Sequence, residues 1–410
     1  MIPKEDLSII RELATQVAEI AALPVQDEKR KLWRKLNAKK PERPMVMIDQ
    51  VCWNEIDDDS LRLRCTDADC RDYEQYLRQT LYQWHHFPVD MVVENFIEVH
   101  KAFENTRFGV DRVEDTVASD PTNGVVGHFF HNQFERDEDI EKIKMPCVTP
   151  LLEETARRVA VAHELFDGIL EQRVMGPDVY VGMWDPISTW FGVQNALYAL
   201  IERPEFMHRL VARVTEGYLS MLDQLEEHAL LPQPQPLIHC TGAYTDELPA
   251  PGYNPEKPRT KDIWMFGLAQ MFSTCSPDMF REFEVDYTKR ICERFGMVYY
   301  GCCDPLDGKM NEVRMLPNVR KVSMSTWANQ ERGAEEINGD FVFSRKPNPA
   351  YLAFETFDAD IIRQDLTQTR DICAKYNCPL EIIQKDLSTI RREPQRLDQW
   401  AKIAMEIVGA

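Results

Sequence analysis

The first part of the chain alternates apolar and polar residues with the spacing of a helix. Five apolar side chains recur at steps of three and four residues, which places them on one stripe of an amphipathic helix. They are Leu7, Ile10, Leu13, Val17 and Ile20. Pro24 interrupts this pattern, and a second helix is predicted from Lys29 to Leu36. We therefore predict an N-terminal helical extension over residues 1–40, which covers either the floor of the main domain or a second copy of the chain in a homodimer.

Beyond residue 40 the pattern changes to short apolar runs that are separated by longer helical segments. The runs span residues 45–48, 124–130, 179–186, 237–244, 264–268, 297–304, 319–325, 340–347 and 380–384. Strands that alternate with helices form a parallel sheet, and about eight such units close into a (β/α)8 barrel. We predict an α/β fold, a TIM barrel over residues 41–410. No GxGxxG or P-loop motif occurs, which argues against a dinucleotide or nucleoside triphosphate enzyme.

Composition narrows the class of protein. The chain has 410 residues, of which 44% are hydrophobic, and this is enough for one large barrel with a full core. No apolar run of about 18 residues occurs, so no membrane span is predicted. The net charge of -20 argues against nucleic acid and against an anionic membrane surface as partners. Eleven cysteines without a secretory signal predict a cytoplasmic protein that has no disulfide framework.

Two of the predicted strands end in residues that bind soft metal ions. His239 and Cys240 close one run, and Cys302 and Cys303 close another. Zinc takes about four nitrogen or sulfur ligands, and a catalytic zinc keeps one position open. Neighbouring side chains on a strand point to opposite faces, so one member of each pair would enter the barrel unless the strand has already turned into its loop. Cys240 with either Cys302 or Cys303 is the preferred pair, and ordinary packed thiols are the alternative.

A zinc ion at this rim would hold a thiol substrate as its thiolate, which is the nucleophile for alkyl transfer. Asp185 and Asp304 stand at the ends of predicted strands, where barrels place catalytic groups, and they would orient ligands or transfer protons. For Asp185 the cap of the following helix is an equally good role. Arg345, with Lys346 beside it, would hold a carboxylate or a phosphate of the substrate.

The order of these elements resembles that of the uroporphyrinogen decarboxylase superfamily. Three segments carry the resemblance: Arg43-Pro44 before the first strand, the strand end His239–Gly242, and the segment Ser276–Phe283 before a long helix. It extends over residues 40–408 and rests on the order of short motifs. The resemblance implies a (β/α)8 barrel whose cleft lies at the carboxyl ends of the strands.

Two branches of that superfamily are relevant. The decarboxylases carry an arginine-rich segment after the first strand, whereas this chain has no arginine in Met47–Trp53. The cobalamin-dependent methyltransferases transfer methyl groups between a corrinoid protein and a thiol or another acceptor. They hold zinc through a His-x-Cys on one strand and a Cys near the last strand. Here His239 and Cys240 are adjacent and Ser344–Lys346 contains no cysteine, so Cys302 and Cys303 would supply the missing ligand.

We therefore expect a methyltransferase that acts on a small molecule and exchanges the methyl group with a corrinoid protein. The corrinoid would belong to a separate partner, because no Asp-x-His-x-x-Gly segment occurs in this chain. One alternative is a metal-free decarboxylase or lyase that uses Asp49, Asp185 and Arg345 on an acidic substrate. Another is a barrel without catalytic activity that binds a small ligand or holds a complex together.

Overall fold

The computed structural model describes residues 2–118 and 126–409 of the chain. Its helices are α1 (Lys4–Ala21), α2 (Pro24–Asn37), α3 (Ala68–His86), α4 (Leu152–Phe166), α5 (Trp184–Phe191), α6 (Val193–Glu202), α7 (Pro204–Glu227), α8 (Pro277–Phe280), α9 (Asp286–Cys292), α10 (Met310–Val313), α11 (Gln330–Ile337), α12 (Ala350–Ala353), α13 (Ala359–Lys375) and α14 (Gln395–Val408). Its strands are β1 (Met45–Ile48), β2 (Phe96–His100), β3 (Phe103–Asn105), β4 (Glu114–Ala118), β5 (Val126–Phe130), β6 (Val148–Pro150), β7 (Glu171–Met175), β8 (Tyr180–Val181), β9 (Leu237–Ile238), β10 (Thr241–Gly242), β11 (Trp264–Gly267), β12 (Met297–Tyr300), β13 (Val319–Met324), β14 (Val342–Arg345) and β15 (Leu380–Gln384). Within the described residues, no helix is both long enough and apolar enough to cross a bilayer.

Seven parallel strands form the central sheet, in the order β1-β15-β14-β13-β12-β11-β8. Every residue of β12, β14 and β15 is buried. Burial of both faces is typical of parallel strands, because the helices that connect them pack on the two faces of the sheet. The predicted α/β fold with a parallel sheet is therefore confirmed.

The two edges of this sheet are β1 and β8, and in the part of the chain that the structure describes no backbone pairing joins them. Strand β2 pairs with β7 in a separate parallel ribbon. A barrel that closes through eight strands thus remains a prediction beyond the observed sheet.

Two of the predicted runs lie outside the parallel sheet. Residues 126–130 of the run 124–130 form β5, which pairs antiparallel with β4, and the start of that run lies outside the described residues. The run that begins at Leu237 is an antiparallel hairpin of β9 and β10, with His239 and Cys240 as its turn. His239 adopts φ of +55°, a left-handed conformation that allows the chain to reverse over two residues. The apolar residues before His239 are equally compatible with a parallel strand and with this hairpin, which is why the sequence pattern was misread.

The second helix of the N-terminal extension packs under the base of this hairpin. Trp33 of α2 donates a hydrogen bond from Nε1 to the carbonyl of Asp90 at 2.9 Å. Asn37 donates from Nδ2 to the carbonyl oxygens of Gly242 and Tyr244, at 3.0 and 2.8 Å. The extension therefore supports the hairpin from below. The domain boundary at residue 40 and the homodimer remain predictions.

Replacement of Gly242 by alanine is expected to destabilise the protein. A Cβ at this position would lie 2.5 Å from Cδ2 of Trp33, whose ring is fully buried and cannot move aside without a shift of α2. We expect the free energy of unfolding to fall by about 1–3 kcal/mol in urea denaturation, as in other overpacked cores. Gly127→Ala is the matched control, since its Cβ would meet only the carbonyl of Val117 at an ordinary 3.5 Å. Equal stability of the two variants would contradict this packing argument.

Candidate functional site

The hairpin formed by β9 and β10 is fixed at its base by a buried ion pair. Lys321 of β13 and Glu381 of β15 are both fully buried, and Nζ lies 2.6 Å from Oε2. Thr241 joins the pair, because its hydroxyl donates to Glu381 at 2.7 Å and accepts from Lys321 at 3.0 Å. Lys321 also donates to the carbonyl of Gly242 at 3.0 Å, and a buried pair that shares several hydrogen bonds holds the attached backbone in one position. The two turn residues, His239 and Cys240, are therefore presented from a rigid support.

The turn after β12 is fixed in a similar way. Gly301 has φ of +88°, and a Cβ there would lie 2.5 Å from Leu306 Cδ1. The backbone N–H of Cys302 donates to Oδ1 of Asp304 at 3.0 Å, and its carbonyl accepts from the hydroxyl of Ser323 at 2.6 Å. Asp304 is buried, and burial raises the pKa of its carboxyl group. The predicted residue Asp304 thus lies at the site, where it holds the backbone of Cys302.

Three polar groups surround the sulfur of Cys302. The Nζ of Lys385 lies 3.3 Å from Sγ, the Sγ of Cys303 lies 3.5 Å away, and the Nε2 of His239 lies 3.8 Å away. Lys385 also lies 3.0 Å from Nε2 of His239, and Asp386 lies 3.5 Å from Sγ of Cys303. We call these five residues the thiolate cluster.

The cluster stabilises the negative charge of Cys302. A hydrogen bond from Cys303 lowers the pKa of the Cys302 thiol, burial opposes this effect, and His239 and Lys385 lower the pKa further. The pKa of Cys303 is raised, first by its hydrogen bond to Cys302 and then by burial. Burial lowers the pKa of Lys385, but the charges of Cys240 and Cys302 reverse this, so its pKa is raised overall. Because Lys385 contacts Cys302 and Asp386 contacts Cys303, the negative charge of the pair is favoured on Cys302.

Of the four predicted zinc ligands, the structure brings together His239, Cys302 and Cys303. Cys240 lies apart from them, with its Sγ 3.8 Å from the hydroxyl of Tyr299, and burial raises its pKa to about 11. The preferred pairing of Cys240 with Cys302 or Cys303 is therefore not observed. His239, the neighbour of Cys240 on the turn, is the hairpin residue that meets the other strand end.

The arrangement of the thiolate cluster bears directly on the predicted zinc site. Within residues 2–118 and 126–409, no group of three or more His, Cys, Asp or Glu side chains has a geometry that could hold a metal ion. The ammonium group of Lys385 lies between Cys302 and His239 and contacts both. A zinc ion there would meet a like charge at contact distance. The cluster as arranged does not fit zinc, and the predicted zinc site remains a prediction that requires Lys385 to move.

The other two predicted catalytic residues differ in position. Asp185 lies in the first turn of α5 and accepts a hydrogen bond from the hydroxyl of Tyr180. Burial raises the pKa of Asp185, the hydrogen bond from Tyr180 opposes this, and the negative charge of Cys302 raises it further. Arg345 is buried and donates to the carbonyl of Ser325 at 2.9 Å and to Asp365 at 3.3 Å. Its guanidinium group is thus engaged in internal bonds.

Lys385 belongs to the thiolate cluster and was not among the residues predicted from the sequence. It follows β15 directly, at the carboxyl end of a parallel strand, which is the position that places side chains at the rim of such a sheet. The adjacent Asp386 makes Lys385-Asp386 look like a solvated charge pair, although only Asp386 is well exposed. The position after the strand was the signal that could have identified it.

Two cavities border the thiolate cluster on different residues. One has a volume of about 550 Å³, and Asp49 and His239 lie on its wall. The other has a volume of about 180 Å³ and is lined by Cys302, Cys303 and Trp327, among others. Trp327 is 78% exposed, which marks the open side of the smaller cavity. A ligand can therefore approach the cluster from two directions.

No family model matches the chain, and no curated protein matches it. Among solved structures, a methyltransferase from Methanosarcina mazei is similar in structure, with a TM-score of 0.49 and 10% sequence identity. The comparison covers 92% of this chain and 97% of that chain. Membership of the uroporphyrinogen decarboxylase superfamily therefore remains a prediction from the sequence.

The role of Asp304 is tested by its replacement. Asp304→Ala leaves the buried N–H of Cys302 without its acceptor, and we expect a loss of about 1–3 kcal/mol in the free energy of unfolding. Asp304→Asn retains an acceptor oxygen, so we expect less than half of that loss. Urea denaturation of both variants measures the difference. If the asparagine variant is as unstable as the alanine variant, the hydrogen bond to Cys302 is not what Asp304 contributes.

Proposed function

We propose that this protein is a methyltransferase in which the thiolate of Cys302 accepts the methyl group. The observation that carries the proposal is the contact between Lys385 and Cys302, in which an ammonium group lies 3.3 Å from a buried sulfur. A cation beside a cysteine maintains the thiolate at neutral pH, and the thiolate is the reactive nucleophile. A structural cysteine would not need this arrangement.

The chemical step is a displacement at carbon. The Sγ of Cys302 attacks the methyl carbon, a sulfur–carbon bond forms, and the bond between that carbon and the donor breaks with its electron pair remaining on the donor. Lys385 stabilises the thiolate before the attack, and Cys303 donates its S–H to the same sulfur. Both contacts lose strength as the charge disappears, so Lys385 becomes free to interact with Asp386, which is 3.4 Å away.

The proposal includes a partner and a closed barrel. A corrinoid protein, the partner that the sequence resemblance implies, would exchange the methyl group with Cys302. Strand β2 would close the barrel between the edge strands β1 and β8. This is supported by the cavity of about 550 Å³, whose wall contains residues of β1 and β2 together with Asp178, which lies two residues before β8.

The charged residues at the site argue against the alternative function, a lyase that acts on an acidic substrate. An arginine or lysine commonly recognises a carboxylate, and the described residues that line the cavity of about 550 Å³ include neither. The smaller cavity is lined by Lys346, but its ammonium group is hydrogen-bonded to Tyr299 and Ser344. Arg345, which would have served this purpose, is engaged with Ser325 and Asp365.

Methylcobalamin tests the proposal as a corrinoid probe. We expect the wild-type protein, under anaerobic conditions, to cleave the cobalt–carbon bond, measured by visible absorbance, and to gain one S-methylcysteine at Cys302, measured by peptide mass spectrometry. Cys147→Ser is the matched control, because Cys147 is an exposed free thiol far along the chain from the cluster. Methylation that continues unchanged in Cys302→Ser would contradict the proposal.

A further inference from the structure

The cavity of about 550 Å³ ends one imidazole ring away from the thiolate. His239 lies on its wall, and Nε2 of this residue is 3.8 Å from Sγ of Cys302. The volume is within the range of sites that hold small organic molecules. A molecule in this cavity would therefore lie against His239, and its reaction with Cys302 would require the imidazole ring to move aside.

Aromatic rings form part of the wall of this cavity. They belong to Tyr73, Tyr76, Phe96 and Tyr244. Tyr76 is 51% exposed to solvent, and yet burial raises the pKa of its hydroxyl group to about 12. A side chain that is enclosed by protein and still accessible to water faces into a cleft. The faces of aromatic rings carry negative potential and attract organic cations.

The charged residues of the wall have one sign. Glu94 also lines the cavity, but its charge is balanced by Arg30 at 2.9 Å. Asp49, Glu98 and Asp178 line the cavity as well, and among the described lining residues there is no lysine or arginine. Glu98 and Asp178 form no ion pair with a lysine or arginine within the described part of the chain, and the basic group nearest to Glu98 is His100, which also lines the cavity and whose Nε2 lies 3.8 Å from Oε2 of Glu98. Burial raises the pKa of Glu98 to about 7, and the nearby Asp178 adds to this. A cation between these carboxylates would relieve their repulsion.

We infer that this cavity binds a methylated ammonium compound, a small organic cation whose nitrogen carries the methyl groups. The aromatic rings would contact the methyl groups, and the carboxylates would balance the charge, as in other sites for quaternary ammonium ions. The role of this ligand as methyl donor rests on the proposed function, whereas its binding does not.

The inferred ligand also suits the chemistry of the thiolate. When a thiolate takes a methyl group from a quaternary ammonium ion, a sulfur–carbon bond forms and a carbon–nitrogen bond breaks. The electron pair of the broken bond remains on nitrogen, which leaves as a neutral tertiary amine. The step is balanced and needs no oxidant or reductant.

The experiment compares choline with its neutral analogue, in which a tert-butyl group replaces the trimethylammonium group. Binding is measured by calorimetry on the Cys302→Ser variant, so that no turnover takes place. We expect choline to bind at least about tenfold more tightly than the neutral analogue, because the two differ in charge and hardly in shape. Equal affinities, or no binding of choline by the folded protein, would overturn the inference.

Variants of the wall locate the binding site. Glu98→Gln removes one carboxylate and Tyr76→Leu removes one ring, and each is expected to weaken choline binding by about fivefold. Glu104→Gln is the matched control, since Glu104 is an exposed residue of β3 outside the cavity. The affinity of this variant for choline should be unchanged. Equal weakening in all three variants would contradict the assignment to this cavity. Because the binding assay uses the Cys302→Ser variant, which has no thiolate to methylate, a failure of binding is distinguishable from a failure of methyl transfer.

Discussion

Cys302→Ser is expected to lower the rate of methyl transfer at least about a thousandfold. Serine has nearly the shape of cysteine, but its hydroxyl group does not ionise near neutral pH, so the Lys385 ammonium group has no thiolate to stabilise. The variant should fold normally, because serine differs from cysteine only in the exchange of one sulfur for one oxygen. Anaerobic methyl transfer from methylcobalamin provides the measurement.

Cys303→Ser is the comparison that separates the two adjacent cysteines. A serine hydroxyl at position 303 can still donate to the Cys302 thiolate across the distance of 3.5 Å that now separates the two sulfurs. We therefore expect this variant to retain methyl transfer to within about tenfold. If loss of Cys303 is as damaging as loss of Cys302, the assignment of the nucleophile is wrong.

Lys385→Met is expected to change the pH dependence of Cys302. The pKa of Cys302 is lowered in the wild-type protein, so its thiolate persists as the pH falls below the ordinary thiol pKa of about 8.5. The rate of carbamidomethylation by iodoacetamide should therefore change little between about pH 9 and pH 6. Without the ammonium group the pKa of Cys302 rises, and the pH at which the labelling rate begins to fall should move upward by about one to two pH units, as expected for the loss of a charged hydrogen bond.

Lys385→Arg retains the positive charge and provides the control for this experiment. We expect its rate profile to remain close to that of the wild-type protein, because the charge beside Cys302 is preserved. Peptide mass spectrometry identifies the labelled residue at each pH. A profile for Lys385→Met that coincides with the wild-type profile would show that Lys385 does not stabilise the thiolate.

Much of the fold could be predicted because it follows from hydrophobic periodicity. The runs at Met297–Tyr300 and Leu380–Gln384 are continuous and apolar, as buried parallel strands require, and both are strands of the sheet. The hairpin at His239 could not be predicted, because a two-residue turn usually contains glycine or asparagine and here contains His and Cys. Its conformation depends on the buried pair Lys321–Glu381, which is contributed by distant segments.

Only part of the candidate site could be predicted, because the rest also depends on contacts between distant segments. The position of Cys302 and Cys303 at the end of β12 was evident from the sequence, and the structure places His239 next to them. Cys240 is separated from the cluster by the conformation of the turn. The alternation of side chains between the two faces of a strand does not predict the side-chain directions in such a turn. Lys385 was missed because its partner Cys302 is 83 residues away in the chain, and no local pattern reports such a contact.

The most direct test of the account is isotopic methylation of the intact protein. The wild-type protein is treated near pH 6 with a limiting amount of carbon-13 methyl iodide. At this pH an ordinary thiol is ionised to well below about one per cent. Peptide mass spectrometry then locates the label. The account predicts labelled S-methylcysteine at Cys302, with the other ten cysteines largely unmodified. Label spread over the exposed Cys147 and the remaining thiols, with Cys302 no more reactive than the others, would contradict it.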